Sequence, residues 1–179
     1  LASVRIEESK PEKEPATLKT VLKLLKVRYV VVMILAIFFA VGFDVAINSN
    51  IASFLSKRYT IDLDTASMAI SVYFASLMVG RFIGAILLRK IDAIRFFIIC
   101  VIITLIGLIG IITINNLTLS WILIFVTGLG FANVFPVVFS ITVTKYSEYT
   151  NEISGMIILA VCGGAVIPPI MGFVSDNFG

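Results

Sequence analysis

The chain has 179 residues, 59% of them hydrophobic and only 14% charged, with a mean hydropathy of +1.08. A soluble domain averages about 45–50% apolar and about 25% charged residues, and a fold of this length cannot hide so much apolar surface from water. Disorder requires the opposite bias, so the composition leaves an integral membrane protein, and the lack of any His removes the commonest metal ligand and general base.

Residues 1–28 differ from the rest. Arg5 to Pro15 is rich in Lys, Glu and Pro and reads as a solvated linker. From Thr17 to Arg28, Leu18, Val21, Leu22, Leu24 and Leu25 alternate with Lys19, Lys23 and Lys26. That pattern predicts either a short basic amphipathic helix on the lipid headgroups or an early first turn of the first span. The apolar stretch begins too late and runs too long for a secretory signal.

A spanning helix needs about 20 apolar residues, and five stretches qualify: Tyr29 to Ser56, Thr65 to Leu88, Phe96 to Ile114, Leu119 to Thr144 and Ile153 to Ser175. The predicted fold class is an all-α membrane protein, a bundle of five transmembrane helices joined by short polar loops. Of fourteen Lys and Arg residues, eleven fall on the side of the N-terminal segment, including Arg89, Lys90, Arg95 and Lys145. Only Lys57 and Arg58 fall on the other side. This bias predicts a cytoplasmic N-terminus. Cys100 and Cys162 lie within spans and read as small apolar fillers, with no disulfide or metal pattern.

Polar residues within spans are costly and become functional candidates. Asp44 lies halfway along the first span, and Asn48 follows at i+4 on the same face. Tyr73 lies mid-span in the second helix, where it offers a ring face and a hydroxyl. Asn133 lies mid-span in the fourth. These four are the candidate substrate-binding residues, with Asp44 also a candidate for proton linkage; a fixed interhelical hydrogen bond is the competing reading of Asp44. Phe131, Phe135 and Phe139 form a stripe that reads as a packing or lipid-facing surface. Arg81, buried in the second span about 12 Å from Arg89, is expected to face the bundle and meet helix-end carbonyls, Glu148 or Glu152. Its loss is expected to slow the conformational cycle while sparing substrate binding.

Gly80 and Gly84 make a GxxxG that lets another helix approach closely. Pro136 in the fourth span, and Gly163, Gly164, Pro168 and Pro169 in the fifth, are candidate points of helix flexing. The sequence contains no phosphate loop, CxxC, HExxH or nucleophile elbow, so neither an enzyme nor a cofactor is expected. The Lys and Arg residues lack the aromatic interleaving of nucleic-acid binders; the expected surroundings are lipid.

Gly80-Arg-Phe-Ile-Gly84 with Leu88-Arg-Lys90 resembles the second copy of the major facilitator superfamily signature, although Ile91-Asp-Ala-Ile-Arg95 replaces its longer basic loop. Gly128-Leu-Gly-Phe-Ala-Asn-Val-Phe-Pro-Val-Val-Phe-Ser140 and Gly163-Gly-Ala-Val-Ile-Pro-Pro-Ile-Met-Gly-Phe-Val-Ser-Asp176 resemble helices ten and eleven of its fucose/glucose/galactose–proton symporter branch, and Val41-Gly-Phe-Asp-Val45 resembles helix seven. The resemblance covers about Tyr29 to Gly179. It implies that residues 29–179 are helices seven to eleven of a twelve-helix fold, that residues 1–28 belong to the central cytoplasmic loop, and that Gly80, Arg81, Gly84, Arg89 and Lys90 form the gating signature. It further implies a fragment of a sugar–proton symporter of the bacterial inner membrane, whose N-terminal half holds further coupling carboxylates. Two alternatives remain: a major facilitator transporter of another small solute, and a complete five-span subunit that binds a small molecule.

Overall fold

The structure, a computed structural model, describes residues 17–178. The expected linker from Arg5 to Pro15 lies outside the described residues. Helix α1, Leu18–Leu24, is followed by α2, Arg28–Tyr59; α3, Leu63–Leu87; α4, Ala93–Thr113; α5, Leu117–Phe131; α6, Val134–Lys145; α7, Thr150–Ala160; and α8, Gly163–Phe178. Among the described residues there is no strand. Five segments are long and apolar enough to cross a membrane: α2, α3, α4, the pair α5–α6, and the segment from Ser147 to Val174 that contains α7 and most of α8. All five expected spans are present.

Polar side chains set the helix starts. Asp62 accepts from the Thr65 backbone amide at 2.7 Å, Asp92 from Ile94 and Arg95, and Asn116 from Leu119, satisfying donors that have no partner within the first turn. Thr60 ends α2 in the left-handed region at φ 53°. Leu25 to Val27 separate α1 from α2, so α1 is a helix of its own rather than the first turn of the first span. Its Leu24 is buried in the cluster around Ile153 and Ile157, while Leu18 and Leu22 are exposed.

The fourth and fifth spans are each interrupted mid-way. Pro136 has no amide hydrogen to give the Ala132 carbonyl, and its ring crowds that carbonyl. The helix accordingly breaks at Ala132–Asn133, one turn before the proline that was expected to mark the kink, and Pro136 falls in the first turn of α6, where proline is tolerated. The fifth span breaks at Val161–Cys162. Pro168 and Pro169, expected as flexing points, lie instead inside the continuous α8.

Helix α2 is the hub, packed against α3, α6, α7 and α8, while α5 joins α3 to α4. Small residues set the closest approaches. A Cβ on Gly163 would overlap the Phe38 carbonyl of α2, and one on Gly84 would overlap the Asn133 side chain. Gly163 thus serves as a contact surface at the start of α8. Because successive spans alternate in direction, Arg28, Arg89, Lys90, Arg95 and Lys145 share one end of the bundle, here termed the basic face. There the Lys145 ammonium lies 3.7 Å from the centroid of the Tyr29 ring, tying α6 to the start of α2 by a cation–π contact.

Candidate functional site

A cavity of about 220 Å³ opens between α2, α3, α5–α6 and α7. Val41 and Asp44 of α2 form one wall, and Leu77 and Arg81 of α3 the next. Phe131, Ala132, Phe135 and Val161 complete it, so both interrupted spans border it. Asp44 is therefore half-buried at mid-helix, with the exposed Arg81 bordering the same cavity.

Tyr73 reaches Asp44 from behind. Its hydroxyl donates to Asp44 Oδ1 at 2.8 Å. The residue itself is fully buried, at 0% exposure, among Leu55, Leu77 and Ile124. The sequence offers both a ring face and a hydroxyl at Tyr73; the structure buries the ring and turns the hydroxyl to the carboxylate, which it fixes. The second oxygen of Asp44 has no hydrogen bond among the described residues and remains able to accept one from a solute.

Asn48, one turn along α2, donates through Nδ2 to the Asp44 backbone carbonyl at 2.9 Å, and its Oδ1 is buried without a partner. An acceptor left in that state costs on the order of 1–3 kcal/mol. Ser49 and Asn50 are turned back onto their own helix, bonded to the carbonyls of Val45 and Ala46.

Asn133 is not brought to this cavity. It is 5% exposed, and its amide donates to the Gly80 carbonyl at 2.8 Å across the α3–α5 contact. The missing Cβ of Gly84 leaves the notch that receives this side chain, while that of Gly80 admits Leu129 and Ala132. Expected as a ligand contact, Asn133 is a helix-to-helix tie. Arg81, expected to be buried in the bundle, is an exposed residue that lines one side of this cavity, and the acid that shares the cavity is Asp44 rather than Glu148 or Glu152.

Two features escaped the sequence reading. The aromatic stripe was read as packing surface, yet Phe131 and Phe135 line the charged cavity, with Phe131 5.2 Å from Phe43 and Phe135 stacked on Phe139 at 6.4 Å. At the end opposite the basic face, Arg58 donates to the carbonyls of Ile111, Ile112 and Ile114. Tyr59 donates to Ile114 and shares a 2.7 Å hydrogen bond with Ser120. These bonds cap the last turn of α4, whose carbonyls otherwise lack donors. Arg58 appears in the sequence only as a loop charge; its position one residue before a tyrosine at a helix end is the sole local signal.

Residues 5–179 match the family described as Major Facilitator Superfamily. A Helicobacter pylori protein provisionally named a glucose/galactose transporter is 34% identical over 144 residues, covering 79% of this chain and 35% of that protein. A Brucella abortus glucose/galactose transporter is 32% identical over 157 residues, 85% of this chain and 37% of its own length. This chain thus spans little more than a third of these curated relatives. The crystal structure of the Major Facilitator Superfamily transporter FucP in the outward conformation superimposes with a TM-score of 0.79 at 21% identity, covering 91% of this chain and 40% of that one. At that identity the likeness is one of fold.

Proposed function

This chain belongs to the Major Facilitator Superfamily, a multi-pass membrane protein whose named relatives are transporters rather than enzymes, and we propose that its five spans form one side of the hexose pathway of a proton-coupled transporter. The single observation that carries this reading is the cavity that Asp44, held by Tyr73, lines together with Arg81, Phe131 and Phe135. A hexose presents hydroxyls that both donate and accept, and a C–H face that stacks on rings. Asp44 accepts from a hydroxyl, Arg81 donates to another, and Phe131 and Phe135 supply the ring faces. Asn48, expected at the site, does not line this cavity, and its Oδ1 is buried. Tyr73 is a positioning residue; it acts through Asp44.

Alternating access needs wall segments that move around a fixed site. The breaks at Ala132–Asn133 and Val161–Cys162 border the cavity and divide both spans at its level, so α6 and α7 can tilt relative to α5 and α8. On this reading Gly80, Arg81, Gly84, Arg89 and Lys90 couple that tilt to the basic face. The charge bias supports a cytoplasmic basic face in the bacterial inner membrane. The remaining wall and further coupling acids are assigned to the part of the relatives' length that this chain does not span.

The test is uptake in a sugar-transport-deficient bacterium expressing the whole transporter, offered labelled glucose, galactose, fucose and a hexuronate. Glucose or galactose should accumulate, with protons entering de-energised cells when sugar is added. Accumulation of the hexuronate alone would show that Arg81 selects an anionic solute and would overturn the hexose assignment.

A further inference from the structure

Helices α3 and α4 follow one another through a short turn yet barely touch; each packs on α5 instead. Between them lies a groove of about 330 Å³ with an almost wholly apolar lining. Ile83 and Leu87 of α3 form one side, Ile99 and Ile103 of α4 the other, and Val126 and Leu129 of α5 the floor. Asn133 also borders the groove, but its amide donor is already committed to Gly80.

One end of the groove is charged. Ile91 and Phe96 close it at the basic face. Arg89 and Lys90 stand in the turn between Leu87 and Ile91, and Arg95 immediately precedes Phe96. All three are exposed, and among the described residues none donates to a carboxylate. The neighbouring acid, Asp92, is occupied in capping α4 through the amides of Ile94 and Arg95. Seven residues separate Gly80 from Leu87 and Phe96 from Ile103, so the slot runs roughly 10 Å along each helix at 1.5 Å per residue. That is about two-thirds of one leaflet of a ~30 Å hydrocarbon core.

We propose that this groove is a binding site for an anionic phospholipid, with an acyl chain lying on α5 between α3 and α4 and the phosphate held by Arg89, Lys90 and Arg95. The apolar slot and the cationic rim are independent features of the groove, and only an amphiphile with a negatively charged head satisfies both. A zwitterionic lipid fills the slot equally well but leaves the excess positive charge of the rim uncompensated. The bound chain would fill a space that the close α3–α5 and α4–α5 contacts leave open, and would hold the α3–α4 turn at the headgroup level.

The test uses the purified protein, delipidated in detergent and titrated with phosphatidylglycerol or phosphatidylcholine, with bound lipid counted by native mass spectrometry. Retention of phosphatidylglycerol should exceed that of phosphatidylcholine by about tenfold. The preference should vanish in the R89Q/K90Q/R95Q variant, whose three changes are all on exposed residues. Ile103→Trp, which fills the slot, should abolish retention of both lipids; if it does not fold, a photo-crosslinker at position 103 should capture lipid instead. Equal retention of the two lipids, or a preference that survives the triple variant, overturns the proposal. Capture of a protein segment from position 103 does the same.

Discussion

The Tyr73 hydroxyl of α3 donates to the Asp44 carboxylate of α2 at 2.8 Å, joining the most deeply buried tyrosine to the one acid in the membrane-spanning part of α2. A hydrogen bond to a charged group contributes about 1.5–3 kcal/mol. Tyr73→Phe keeps the packing and removes that bond, so Asp44 loses its fixed orientation. Sugar KM in transport assays should rise about tenfold, the equivalent of 1.4 kcal/mol, with protein yield little changed. An unchanged KM would mean that Asp44 needs no positioning.

Asp44 and Arg81 share one cavity, so their substitutions should not act independently. Asp44→Asn and Arg81→Gln should each lower uptake at least tenfold, while the double variant should be much less impaired than the product of the two. Residues coupled through a shared cavity interact in such cycles by about 0.5–3 kcal/mol. Asp44→Asn should also flatten the pH dependence of uptake if this carboxylate carries the proton. Strictly multiplicative effects would separate the two residues.

Asn133 ties α5–α6 to α3 through the Gly80 carbonyl. Asn133→Leu leaves that carbonyl without its side-chain donor and puts a branched side chain against Gly84, where the Asn133 side chain already sits in the space of a Cβ. We expect a loss of about 1–3 kcal/mol of stability, read as a lower thermal midpoint in detergent, with sugar KM unaltered in the folded fraction. A raised KM at normal stability would return Asn133 to the binding site.

Arg58 and Tyr59 together hold the last carbonyls of α4. Arg58→Lys retains the charge but replaces a planar fork with a point donor. It should therefore increase amide exchange in the α4–α5 turn nearly as much as Arg58→Gln does. Wild-type exchange in the lysine variant would show that charge alone suffices.

The backbone and side-chain hydrogen bonds from Thr65 hold the exposed Asp62 carboxyl below the usual carboxylate range. The folded-state value is the lower one, so its contribution is present above the usual range and is lost as pH falls through the lowered value. Protection of the amides at the start of α3, measured against their intrinsic exchange rates, should hold at neutral pH and fall only in strong acid. In Asp62→Ala it should be low throughout.

The spans were legible because an apolar run of about 20 residues has few alternatives; their exact starts, set by the caps at Asp62, Asp92 and Asn116, came from the structure. Pro136 marks a kink in the sequence but not its place: the break lies one turn earlier, because proline acts on the carbonyl four residues before it. Asp44 announced itself as a charge at mid-span. Its relation to Arg81 did not, since two residues on different helices share no sequence periodicity. Asn133 and Tyr73 were read by chemical type, as polar groups that a ligand needs. What decided their roles was a backbone carbonyl in one case and complete enclosure in the other, and neither leaves a mark in the sequence.

Asp44 lies sixteen residues from the start of α2 and fifteen from its end, and that depth has an electrical consequence. A full crossing of the membrane is worth ~2.3 kcal/mol per unit charge per 100 mV. A proton that travels from either surface to Asp44 traverses half of that drop, about 1 kcal/mol per 100 mV. Occupancy of the carboxylate would then respond to voltage as well as to pH, and current recordings should show sugar-dependent charge movement that disappears in Asp44→Asn.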